Sequence, residues 1–215
     1  MMGETELRTR TDIKDRRIRK TRNALKNSLT TLLQEKNVKD ISVKELTELA
    51  DVNRGTFYLH YKDVFDLLEQ SELDLLDEFE SVFEGVTGKE FVNETGEIFE
   101  RIYNMCRDNA DFVRVLLSEN GDIKFLNSMS SFLKERCLRD WGELIKASDY
   151  KMFDAYFTFL VGGCVSLLQY WFATGMNQSP KEGVTLSQLC LKTGMGIKQL
   201  TSKMRQLENR GNVVV

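Results

Sequence analysis

Between Ile41 and Tyr61 the chain reads ISVKELTELADVNRGTFYLHY, and the side chains here that could do chemistry are hydrogen-bond donors. They are Arg54, Thr56, Tyr58 and His60, with Ser42, Lys44, Asn53 and Lys62 close by. An arginine fork can bond guanine bidentately, a pairing worth ~1–3 kcal/mol of discrimination between bases. Threonine can touch a thymine methyl or donate to a phosphate, and Gly55 beside it lets a backbone come close. The set suits recognition of a polyanion better than the making or breaking of bonds.

Enzyme chemistry finds little to work with. No Ser/His/Asp arrangement, metal-ligand spacing or phosphate-cradling glycine loop is visible, and one histidine leaves little acid–base machinery. Cys106, Cys137, Cys164 and Cys190 lie 26 or more positions apart with no CxxC pair, which fits reduced thiols in a cytoplasmic protein. No metal and no cofactor are expected. A redox sensor through Cys106 or Cys164 is a rival, although both fall on predicted buried faces.

Helices must position the donors. One proline in 215 residues, and no long alternation of apolar and polar residues, points to an all-α chain. DIKDRRIRKTRNALKNSLTTLLQEKN reads as a first helix, with Asp12 as N-cap, Ile18, Leu25, Leu29, Leu32 and Leu33 on one face, and Asn37 as a left-handed ending. Ser42 caps a second helix with Val43, Leu46, Leu49 and Ala50 inward, and Asn53 caps a third with Phe57 and Tyr61 inward. Two short helices about a sharp polar break form a helix-turn-helix pattern. A long amphipathic helix follows, with Phe65, Leu68, Leu75 and Phe79 on its apolar face. Further helical patterns run over about 89–107, 109–118, 122–147 and 149–174. The last is apolar on most sides, so burial is expected, and Gly175 closes it.

Charge is unevenly spread. Residues 1–62 hold 14 Lys and Arg against 9 Asp and Glu, and the rest hold 16 against 24. A basic front on an acidic body fits a protein that presents one end to nucleic acid. No run approaches ~18 uninterrupted apolar residues, so no membrane span is expected. The start MMGETELRTR lacks the apolar region of a secretory signal, so a cytoplasmic location is expected.

Residues 16–68 resemble the DNA-binding domain of the tetracycline-repressor (TetR/AcrR) family of bacterial transcription regulators. The family pattern runs from T-R-x-x-I/L through T/S-V-x-x-I/L-A to G-V-S-x-G-T-F/L-Y-x-H-F. This chain supplies TRNAL (21–25), SVKELTELA (42–50) and DVNRGTFYLHY (51–61). It departs at the turn glycine, which is Asp51, at Asn37 in place of glycine, and at Val64 in place of a phosphate-binding lysine, a role that nearby Lys62 can take. The resemblance implies an N-terminal three-helix helix-turn-helix domain over 1–62 (ordered core about 12–62) and a helical ligand-binding and dimerisation domain over 63–215. It implies that Tyr58, His60 and Lys62 bond phosphates, that Lys44 reaches DNA from the second helix, and that Ser42, Asn53, Arg54, Gly55 and Thr56 complete the contact.

The resemblance also implies a homodimer on a palindromic operator, with a small-molecule effector in the body. The stretch FLVGGCVSLLQYWFATG resembles the body of relatives of dihydroxyacetone-operon regulators. Gly162, Gly163, Leu167, Trp171, Leu186 and Leu189 are the candidate dimer contacts. Phe99, Tyr103, Phe112, Phe125, Phe132, Trp141, Tyr156 and Tyr170 are candidate pocket linings, though aromatics at helical spacing also serve plain cores. A second helix-turn-helix over 185–211 would lack a wing, so packing helices suit it better. The chief alternative function is a coactivator or interaction module whose body docks a partner protein.

Overall fold

The computed structural model describes residues 2–86, 95–118, 123–141 and 150–177. Every regular element among them is helical, as the sequence leads one to expect. They are α1 (Met2–Leu33), a 3-10 turn (Val38–Asp40), α2 (Val43–Leu49), α3 (Arg54–Tyr58) and α4 (Val64–Ser81), followed by α5 (Thr95–Asp108), α6 (Ala110–Leu116), α7 (Ile123–Trp141) and α8 (Tyr150–Ala173). Packing separates two units, Met1–Asp77 with Asp111–Gly121, and Glu78–Ala110 with Asp122–Val215. The first part of α4 and most of α6 therefore pack with the head. The expected boundary at 62 and 63 divides the chain differently.

Helices of seven and five residues, such as α2 and α3, cannot stand alone in water, because nucleation costs more than so few bonds return. Tertiary burial holds them. Leu25, Leu29, Leu46, Phe57 and Leu67 are fully buried in the head, each worth ~1.5–3 kcal/mol over exposure. The predicted α1 stripe is buried at Leu25, Leu29, Leu32 and Leu33 and half-buried at Ile18. Across this unit, the Lys26 ammonium lies 4.7 Å from the ring centre of Phe112 on α6.

Four local expectations need correction. The α1 backbone is helical from Met2, so Asp12 lies inside the helix and does not cap its start. Asn37 is extended at φ −72°, because the chain leaves α1 through a turn at 34–36 and enters the 3-10 turn. Leu49 is exposed, and Thr47 takes its place in the core by donating its hydroxyl to the Val43 carbonyl. Phe65 is also exposed, because the buried α4 stripe is Val64, Leu67, Leu68, Ser71 and Leu75.

In the second unit, Phe132 of α7 meets Phe79 and Phe83 edge-on, and Tyr103 of α5 meets Trp171 of α8 the same way. Arg101 and Arg136 donate to the Val82 and Val86 carbonyls, and Lys134 pairs with Asp154. The expectation that α8 is largely buried does not hold within one subunit. It buries Phe153, Phe157, Trp171 and Phe172, while Phe159 is 72% exposed and Tyr170, Gly162 and Gly163 face outward. By length and mean hydropathy of 1.3, Phe153–Ala173 would pass for a bilayer span. The buried aromatic stripe and the Lys134–Asp154 pair are instead those of a bundle helix.

Both α2 and α8 end in the same left-handed turn. Asp51 (φ 52°) donates its N–H to the Glu48 carbonyl, and Val52 to Thr47; Gly175 (φ 75°) and Met176 repeat the pattern on Phe172 and Trp171. Aspartate tolerates this conformation better than alanine does. Asp51→Ala should therefore destabilise the protein by about 1 kcal/mol in urea denaturation, while Asp51→Gly keeps or raises stability.

Candidate nucleic-acid interface

The turn at Asp51 delivers the chain to a capped helix. Asn53 is extended (φ −64°, ψ 138°), and its Oδ1 accepts the Gly55 N–H at 2.7 Å. A Cβ at position 55 would stand 3.1 Å from that oxygen, so glycine leaves the cap uncrowded. Phe57 then points into the core, while Arg54 and Gly55 at the start of the helix are exposed. At the front of α2 the Ser42 hydroxyl oxygen accepts the Glu45 N–H at 3.2 Å, and the Glu45 carboxylate takes Lys36 at 2.5 Å.

The far end of the segment is held as firmly. Asp63 Oδ1 accepts the Asp66 N–H at 2.9 Å, and Asp66 Oδ2 accepts the Lys62 N–H at 2.7 Å. The Lys62 backbone hydrogen bond, then that of Gln70, holds the Asp66 carboxyl below its ordinary pKa.

The predicted contact residues gather on this one stretch of the head. Ser42, Lys44, Asn53, Arg54, Gly55, Tyr58 and Lys62 are exposed, and Thr56 and His60 are half-buried. Among the described residues none holds the Arg54 guanidinium. Lys44 has only a long ion pair with Glu48 at 3.9 Å. Leu59, which the sequence leaves without a role, is 81% exposed beside them. Sequence reasoning placed Tyr61 in the core correctly but missed its hydroxyl, which accepts a hydrogen bond from Arg22. A buried tyrosine generally has a partner for its hydroxyl, and that was the available signal.

A TetR-type family profile, described as a transcriptional regulator C-terminal region, matches residues 93–191. A TetR transcriptional regulator from Streptococcus agalactiae 2603V superposes with a TM-score of 0.55 at 27% identity, over 82% of this chain and 96% of that one. Together the profile match and the superposition support a TetR-type transcriptional regulator.

Two further similarities concern a short stretch and the fold. A stretch of 45 residues is 40% identical to the uncharacterized HTH-type transcriptional regulator YxbF of Bacillus subtilis (strain 168), covering 21% of this chain and only 12% of that protein. The fatty acid degradation regulator FadR from Bacillus halodurans shares the fold, with a TM-score of 0.55 at 12% identity over 82% of this chain and 96% of that one.

Within this chain the expected body residues do not all fall together. Tyr103 and Phe125 are buried in the second unit, and Phe99 and Phe132 are half-buried there. Phe112 belongs to the head unit, because α6 packs there, and Tyr170 is exposed. The side chains of Trp141 and Tyr156, and Leu186, Leu189, the second helix-turn-helix at 185–211 and Cys190, lie outside the described residues. Trp171, expected at the subunit interface, is 2% exposed because its ring packs on Tyr103 of its own chain. A cleft of about 350 Å³ in the head is lined by none of the eight aromatic candidates. Burial, and then Glu78, push the Cys106 thiol up to about 12, so at neutral pH it is not the nucleophilic thiolate a redox sensor needs. Cys164 is half-buried.

Two outcomes follow from the caps. Asn53→Ala removes the α3 cap and should lower stability by about 1 kcal/mol in chemical denaturation. Because the Asp66 pKa is lower folded than unfolded, its contribution is present above the ordinary carboxylate range and is lost as pH falls through the folded value. The protection of the Lys62 amide against exchange, relative to its intrinsic rate and followed by NMR, should therefore fall as pH drops below the ordinary carboxylate range, and in Asp66→Asn this acid response should disappear.

Proposed function

We propose that this protein is a sequence-specific DNA-binding regulator, a repressor that a small-molecule effector releases from a palindromic operator. The observation that carries the reading is the exposed Arg54–Gly55 tip, with half-buried Thr56 beside it, at the capped start of the second helix of the helix-turn-helix. In this reading Arg54 reads guanine and Thr56 a thymine methyl or a phosphate. Tyr58, His60, Lys62, Lys44 and Ser42 take the flanking phosphates, and Asn53 acts chiefly by holding the cap. The protein then works in the cytoplasm, where bacterial DNA lies.

A second copy of the chain completes the reader. The outward face of α8, with Gly162, Gly163, Phe159 and Tyr170, is the apolar surface such a partner would cover, with Leu167 beside it. The glycine positions support close helix approach, since a Cβ at either meets nothing within 4 Å in the single subunit. Leu186 and Leu189 would extend the same interface. Two recognition helices about one DNA turn apart, ~34–36 Å, read a palindrome. An effector lowers operator affinity by binding better to a body conformation in which the heads are misplaced. Phe99, Tyr103, Phe125, Phe132, Trp141 and Tyr156 are the linings we assign to that effector's pocket. The likeness of the α8 stretch supports a body of the dihydroxyacetone-operon regulator type.

The test begins with duplexes selected from random sequence by the purified protein. Selection should return a two-fold symmetric consensus, and failure to enrich any sequence would sink the reading. On that consensus Arg54→Ala should lose about tenfold or more in preference over scrambled DNA. Lys62→Ala should weaken binding to both alike and reduce the salt slope by about 1.

A further inference from the structure

One polar cluster in the head takes no part in the proposed DNA contact. Arg22, on the basic half of α1, would be taken from sequence for one more phosphate-binding cation. It points elsewhere. Its Nε–H donates to Tyr61 Oη at 3.1 Å, and its Nη2 donates to Asp74 Oδ2 of α4 at 3.3 Å. One guanidinium thus joins three segments, 39 and 52 positions away along the chain.

Tyr61 is the member that matters for α3. It follows the recognition helix by one turn, its N–H donating to the Phe57 carbonyl at 3.0 Å, and its ring lies 5.7 Å from that of Phe57. Phe57 is wholly buried and Tyr61 nearly so, so a displacement of the Tyr61 ring carries α3 with it. In the family pattern this position is phenylalanine. A phenylalanine there would lack the hydroxyl through which Tyr61 meets Arg22.

We propose that Arg22 and Tyr61 form a clamp that sets the angle of the recognition helix against α1 and α4, with Arg22 as a positioning residue and not a DNA contact. The consequence for affinity rests on the DNA-binding reading, but the clamp itself does not. Asp74 has the lesser part. The Arg22 and Asp74 side chains are 38% and 60% exposed, so their ion pair is screened and serves mainly to orient the fork. The Tyr61 bond is partly buried and has a charged donor, the stronger class of hydrogen bond. The same bond is the main cause of an Arg22 pKa above its ordinary value. The clamp sits on the cleft of about 350 Å³ that Asp15, Arg19, Lys26 and Ser71 also line.

The experiment uses full-length protein carrying Tyr61→Phe, Arg22→Met, or both. Tyr61→Phe keeps the ring and removes only the hydroxyl. In the free protein, amide exchange at Phe57, His60 and Tyr61 should rise about tenfold in each single variant, and no further in the double. On DNA, affinity for the selected operator should fall about fivefold, while affinity for random duplex and its salt slope stay unchanged. Arg22→Lys should not restore the operator affinity, because an ammonium lacks the planar fork. Unchanged exchange in Tyr61→Phe, additive effects in the double variant, or equal losses on operator and random DNA would each overturn the clamp. If the protein enriches no operator yet the exchange pattern appears, the clamp stands and the DNA-binding reading falls.

Discussion

The head depends on a single left-handed residue. Asp51 at φ 52° lets the backbone reverse within two residues, so α2 stops on its own carbonyls and Asn53 can start α3 at once. A longer or looser connection would separate Leu46 from Phe57, the fully buried side chains of these two short helices. Arg54 is the first residue of α3, and its side chain is exposed there, while Phe57 one turn on is buried. The exposed start of α3 thus follows directly from the turn at Asp51 and the Asn53 cap.

Around that core the molecule uses its charged groups in two ways. Arg54 and Lys62 stay outward and available to a partner. Arg22 and Lys36 are turned onto their own chain, where they join α1 to Tyr61 and Asp74, and the end of α1 to Glu45. The basic excess of the first 62 residues is therefore smaller at the surface than composition suggests. Rigidity makes the difference useful, since base discrimination needs a fork held within a fraction of an ångström of its target.

The body shows the complementary situation. Aromatic edges fill the contacts among α4, α5, α7 and α8, yet α8 still carries Phe159, Tyr170 and a pair of glycines on an open face. A helix this apolar needs cover on more than one side. In the proposed dimer that cover is the symmetric mate, which joins the body's stability to the assembly that reads two half-sites.

Local signals in the sequence determined a good deal. The scarcity of proline and the 3.6-residue periodicity led to an all-helical chain, the Ser42 and Asn53 caps located the two short helices, and Gly175 marked the end of α8, because caps and turns act through neighbouring backbone groups. The inward placement of Phe57 and Tyr61 was legible for the same reason. Only the tertiary structure decided which cations face outward, because a salt bridge between Arg22 and Asp74 joins positions with no local relation. It also decided that Leu49 and Phe65 lie outside the core, that Phe112 packs in the head, and that Trp171 is buried within its own subunit. Each of these depends on which neighbouring helix reaches an apolar residue first, and periodicity within one helix carries no information about that.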